Sequence, residues 1–325
     1  MIAFLLQSGI PFRPEAASTS GAHLDKLFYF LTGLSFLLCV LIFGTLVYFA
    51  VRYRRRPHGS VPPVILQSIP LEIVWTVIPI IINVVIFLWA ANLFFRDAEP
   101  PIGSTEIFVV GKQWMWHLQH AEGQREINEL HIPVNVPIKL IMTSQDVIHD
   151  FFVPAFREKK DVVPGRYTLE WFQPTKIGRY HLFCAQYCGT LHSGMIGWVY
   201  VMSQKDYAEW MYRNRPSESA AGVGQRLFAK LACNNCHQTN RSGSGPPLTG
   251  AFGSVATLQN GERREVDEGF IHQIILNPTT LPVAGYPQVM PSFRGEVSEE
   301  EILEIIAYIK SMGQEQPQPV AEGNQ

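Results

Sequence analysis

Two thiols, an imidazole and a thioether fall within twelve residues at Cys184, Cys188, His192 and Met195, spaced four, four and three apart. Thiolate, imidazole and thioether form the soft-to-borderline donor set that selects copper over hard cations. One more strong donor is needed from elsewhere, and His149 in Asp146-Val-Ile-His149 is the natural one. A second thiol pair has a different logic. Cys233-Asn-Asn-Cys236-His237 matches C-x-x-C-H, in which the thiols bond the vinyl groups of a haem and the adjacent histidine becomes an axial ligand. Met290 offers the other axial ligand, and Met/His ligation gives a six-coordinate iron suited to carrying electrons. Disulfides are the plain alternative for close pairs outside the cytoplasm. The histidine after each pair favours metal and haem instead.

These groups need elements to hold them, and the chain changes character three times. Of 325 residues, 47% are hydrophobic and only 17% charged, and the apolar excess sits in the first hundred. That excess points to membrane insertion, and a net charge of −2 gives no sign of nucleic-acid binding. Residues 1–23 read as an extracytoplasmic tail; the opening Met-Ile-Ala-Phe-Leu-Leu is short and lacks basic residues, so a cleaved signal peptide has little support. Residues 24–96 read as a transmembrane hairpin with spans at 27–51 and 73–95. Arg52, Arg54, Arg55 and Arg56 lie between the spans, which makes that loop cytoplasmic and sends both ends of the hairpin outside. Asn83, inside the second span, is placed to bond a neighbouring helix.

Residues 105–203 hold short β-branched and aromatic runs separated by Gly, Pro, Asn and Asp, the pattern of an antiparallel sandwich or barrel. Residues 204–217 read as a polar connector with some helical character. Residues 218–313 carry helical periods, among them a capping box at Ser298-Glu-Glu-Glu301 ahead of Ile302, Leu303, Ile305, Ile306 and Ile309. The Gln-, Pro- and Glu-rich residues 314–325 read as a disordered tail.

Residues 218–313 resemble class I cytochrome c: besides the haem motif, Gly245-Pro-Pro-Leu248 is similar to the loop that supports the proximal histidine, and Ala307-Tyr308-Ile-Lys to the last helix packed near Gly224 and Phe228. Residues 24–203 resemble cytochrome c oxidase subunit II, whose cupredoxin domain carries the binuclear copper centre CuA. The resemblance implies that Cys184 and Cys188 bridge two copper ions, that His149 and His192 bind one each, that Met195 is a weak axial ligand, and that Gln186 ligates through its backbone carbonyl. It implies a covalently bound haem c on Cys233, Cys236, His237 and Met290. Trp114, in Gly111-Lys-Gln-Trp114-Met-Trp116, is similar to the tryptophan where electrons arrive from cytochrome c, and Glu72 to a carboxylate near the mouth of a proton channel. One position departs: many members carry glutamate where this chain has Gln186, and a neutral amide is a poor ligand for the magnesium bound there.

Two Cys and two His would also satisfy a structural zinc. Met195, a non-ligand for zinc, and a domain large enough to have its own core weigh against it. The fold class is thus a multidomain membrane protein: two-helix hairpin, all-β cupredoxin-like sandwich and all-α cytochrome c domain. The combination resembles the caa-type branch of haem–copper oxidases. It implies a subunit that receives electrons from an external donor, such as cytochrome c or another small redox protein, and passes them to subunit I, which reduces oxygen and translocates protons. Subunit III would be a further partner, in a bacterial inner or cell membrane, with the copper and haem domains outside. A nitric oxide reductase subunit and a membrane-tethered copper carrier are the alternatives.

Overall fold

In the computed structural model, residues 14–54, 68–238 and 243–313 are described. The remainder of the basic loop after Arg54, the first residues and the 314–325 tail lie outside them.

Helices α1 (Thr19–Arg52) and α2 (Ile69–Ala98) form the hairpin, each with a mean hydropathy of 2.5 over its most apolar stretch. Helix α1 begins inside the segment read as a tail, because Ser18 caps it: its Oγ accepts from the Gly21 N–H at 2.9 Å. Both helices expose nearly all their apolar side chains, as surfaces made for lipid or another subunit must. Among the described residues Asn83 bonds no neighbouring helix. Its Nδ2 donates to the Pro79 carbonyl at 2.9 Å, one turn back in its own helix.

Two five-stranded sheets follow, ordered β3-β2-β1-β5-β8 and β4-β10-β9-β6-β7. Their strands are β1 (Thr105–Lys112), β2 (Met115–His120), β3 (Arg125–Ile127), β4 (Glu129–Pro133), β5 (Ile138–Ser144), β6 (His149–Val153), β7 (Glu158–Val162), β8 (Thr168–Phe172), β9 (Gly178–Cys184) and β10 (Ile196–Met202). The sandwich is mixed, not wholly antiparallel: β1 runs parallel to β5, and β10 to β4. Ile107, Val109, Trp116, Leu140, Phe151 and Val199 meet between the sheets, each at most 2% exposed. β1 is buried on its other face as well, where Phe108 and Val110 join Ile141 and Leu303.

Helix α3 (Gln204–Arg213) leads to a helical unit of α4 (Ala220–Lys230), a small hairpin of β11 (Val255–Thr257) and β12 (Arg263–Glu265), α5 (Glu268–Leu276) and α6 (Glu299–Ser311). Ser298 closes its capping box, with Oγ accepting from Glu301 N–H and the Glu301 carboxylate accepting from Ser298 N–H. α4 crosses α6 at Gly224, where a Cβ would sit 1.9 Å from the Glu304 carbonyl oxygen. Only glycine allows that approach.

The hairpin is tied to the sandwich through backbone and charge. Ala17 N–H donates to Ala155 O at 2.8 Å, Trp171 Nε1 to Asp97 O at 3.0 Å, and Arg157 pairs with Asp25 at 3.0 Å. In the same junction burial, then the neighbouring Glu170 and Asp97 carboxyls, push Glu158 up to about 9, with Ser20 opposing. Burial raises Glu170 too. A carboxyl that takes up a proton on folding makes stability fall as pH rises through the window between its unfolded and folded values. Thermal unfolding of the solubilised chain should therefore lose stability from the ordinary carboxylate range up to about 9, and Glu158→Gln should flatten that slope. A slope unchanged in the variant would assign the pH dependence elsewhere.

Candidate functional site

β9 ends at Cys184 and β10 begins at Ile196, so the intervening loop is pinned at both ends by neighbouring strands. Cys184 N–H donates to the Met195 carbonyl at 3.2 Å and Ala185 N–H to Asp150 O at 3.1 Å. A short 3-10 turn at His192–Gly194 presents the imidazole. His149 opens β6, alongside β9 in the same sheet. Five side chains from these elements converge. Cys184 Sγ lies 3.7 Å from Cys188 Sγ and 3.9 Å from His149 Nδ1; Cys188 Sγ lies 3.4 Å from His192 Nδ1 and 3.9 Å from Met195 Sδ. The Gln186 carbonyl oxygen is 3.2 Å from Cys184 Sγ, while its side chain is exposed. Both cysteines are free thiols. Cys184, Cys188, Met195 and His149 are 8%, 3%, 1% and 0% exposed, so the donors are shielded from water before any metal binds.

The surroundings aim these groups. Asp146 Oδ1 holds His149 Nε2 at 2.8 Å, leaving Nδ1 toward Cys184. Asp146 itself accepts from the Gln113 N–H at 2.7 Å. Gln113 Nε2 and Trp114 Nε1 both donate to the Cys188 carbonyl, at 2.8 and 3.2 Å. Gly111 admits the His149 ring, since a Cβ there would come within 2.9 Å of its Cδ2. Burial opposes the Cys184 thiolate, but His149 and the backbone N–H groups outweigh it and hold its pKa below that of an ordinary thiol. Burial and the adjacent Cys184 push Cys188 the other way. Soft donors at these positions suit copper, and the convergence of two thiols between two imidazoles suits a pair of ions.

Cys233, Cys236, His237 and Met290 line a cavity of about 590 Å³ in the helical unit, walled by apolar side chains including Phe228, Leu248, Ile271 and Ile305. The Pro246 carbonyl accepts from His237 Nδ1 at 2.9 Å, which leaves Nε2 as the ring nitrogen not engaged by that bond. A large apolar cavity with two thiols, an imidazole and a thioether on its wall fits haem chemistry.

Trp114 is half-buried against the copper loop, whereas Glu72 sits in the first turn of α2. From Glu72 to Ala98 the helix runs about 39 Å, so Glu72 belongs to the hairpin's far end. Sequence reasoning missed Asp146, Gln113 and Gly111. Asp146 sits three residues before His149, but only the turn geometry reveals that its carboxylate folds back onto the ring.

Known families match in the same three pieces. The cytochrome c oxidase subunit II transmembrane domain matches residues 6–93, the periplasmic domain of that subunit residues 124–201, and cytochrome c residues 222–313. The cytochrome c oxidase subunit 2 of Alkalihalophilus pseudofirmus is 29% identical over 85% of this chain and 83% of its own length. The Synechocystis subunit 2 is 28% identical over 63% of this chain and 76% of its own. The probable subunit 2 of Rickettsia bellii is 30% identical over 67% and 88%.

Removing a partner that orients a ligating histidine costs about 10–100-fold in metal affinity. Asp146→Ala should weaken copper binding to that degree in a titration against a competing chelator. Unchanged affinity would show that packing alone aims His149.

Proposed function

The chain belongs to the cytochrome c oxidase subunit II family and carries a cytochrome c domain after the subunit proper, and from that membership we propose how its residues move electrons. It is an electron-transfer subunit of a membrane-bound cytochrome c oxidase and works beside the catalytic subunit I, which reduces oxygen. In our reading Cys184, Cys188, His149, His192, Met195 and the Gln186 carbonyl would together hold a pair of copper ions. Cys233 and Cys236 would attach haem c covalently, and His237 and Met290 would hold its iron. When bound, the copper pair and the haem each supply a one-electron carrier.

The protein's own work is to mount, shield and connect. The convergence of two buried free thiols with a histidine nitrogen beside each carries the copper assignment. Donors fixed in place by the strands would need to move little when the metal they hold changes charge. Trp114, hydrogen-bonded to the Cys188 carbonyl, is the through-protein contact to the copper loop. Electrons come from an external donor such as a small cytochrome by way of the haem domain. Both soluble domains face the extracytoplasmic side, subunit III completes the complex, and Glu72 serves proton uptake at the opposite end of the hairpin. A tethered donor also has a high effective concentration at its acceptor.

Electron paramagnetic resonance of the purified complex should show the hyperfine pattern of one electron shared by two copper nuclei. The pattern of a single copper nucleus, or a full zinc complement by metal analysis, would sink the assignment. Met290→Ala should leave the haem attached but lower its midpoint potential, because the thioether ligand raises it. An unchanged redox titration would remove Met290 from the ligand set.

A further inference from the structure

The haem domain does not hang free of the copper domain. Helix α6 turns Ile302, Ile305, Ile306 and Ile309 inward to the core of the helical unit. Its other side lays Leu303 on β1 and β5, against Phe108, Val110 and Ile141, all at most 5% exposed. Tyr167, just before β8, belongs to both apolar clusters and packs its ring 4.7 Å from that of His272 on α5. Charges frame the contact. Lys310 Nζ, on α6, lies 2.9 Å from Glu106 Oε2 on β1 and 2.6 Å from Glu268 Oε1 on α5. Lys139 on β5 takes the other Glu106 oxygen at 2.9 Å. Arg125 on β3 pairs with Glu304, and His117 Nδ1 on β2 lies 3.3 Å from Glu300.

The connector is fastened to the same sandwich. Trp210 of α3 stacks on His131 at 4.7 Å, and Tyr207 Oη lies 3.2 Å from His120 Nδ1. Gln124 Nε2 donates to the Met211 carbonyl at 3.1 Å. A swing of the haem domain would therefore have to expose the apolar patch and also strip α3 from its aromatic and hydrogen-bond partners.

Resting on the relay reading above, we propose that the haem domain is a fixed donor. It transfers electrons while docked on the outer face of β1 and β5, not by swinging on its connector, and Lys310 is the positioning residue that sets its orientation. One ammonium bridging carboxylates from two domains fixes register more than it adds stability, since a paired buried charge gains little over an apolar isostere yet punishes mispairing. The external donor then approaches the haem domain on a face other than that of α6.

The test uses the whole oxidase complex. After photoreduction of the haem, its reoxidation by copper should be a single phase whose rate ignores added glycerol, and pulsed paramagnetic resonance should give one narrow haem–copper distance. Lys310→Met should broaden that distance, slow transfer severalfold and make it sensitive to viscosity, with both redox potentials unchanged; Lys310→Arg should restore most of the rate. Viscosity-dependent transfer or a broad distance distribution in the native complex overturns fixed docking even if the variant cannot be made. A Lys310→Met complex identical to the native one overturns the role of Lys310. Failure of the relay reading looks different: the copper would not receive the haem's electron at any viscosity.

Discussion

The copper pair proposed for this site would have to change charge without changing shape, which requires donors set by the protein before the metal arrives. Here that constraint is met by strand geometry. His149 opens one strand and Cys184 ends its neighbour, so the sheet hydrogen bonds that build the sandwich also fix the distance between imidazole and thiol. A second layer of contacts, from the end of β1 and the two residues after it, then locks orientation: Gln113 and Trp114 grip the Cys188 carbonyl, while Gly111 leaves space for the His149 ring. The site is an extension of the core, with Cys184, Cys188 and Met195 counted among its packed side chains.

Much of this could be read from the amino-acid sequence, because each signal was local and had one physical meaning. Two long uncharged runs have few solutions other than membrane helices, and Cys233 to His237 carries its chemistry in five consecutive residues. The capping box at Ser298 specified a helix start by the same local logic. Long-range pairing was less legible. Alternating runs identify strands but not the direction of their partners, so the parallel pairs β1–β5 and β10–β4 appear only in the fold. Charged short strands such as β7, whose residues are mostly exposed, carry almost no apolar pattern to read. Ser18 started α1 earlier than hydropathy placed the span, since a cap depends on one hydroxyl and not on the run that follows.

The run Ile107-Phe-Val-Val110 in β1 is apolar at every position. A strand with one wet face alternates, whereas a continuous apolar run marks burial on both. The inner face belonged to the sandwich. The outer face is covered by Leu303 of α6, a contact no local pattern announces. The ion pairs around that contact were illegible for a simpler reason: Glu106 and Lys310 stand 204 residues apart, and no period or motif connects them.

That outer face has a consequence for the history of the chain. Phe108, Val110 and Ile141 form an apolar patch in the middle of a sheet, acceptable only while another domain covers it. Exposed contiguous apolar surface promotes association. Once these positions had turned apolar, deleting the cytochrome domain would leave the copper domain sticky as well as without its tethered donor. Reverting to a free-standing copper subunit would then require several surface changes together, and the gene fusion would behave as a ratchet.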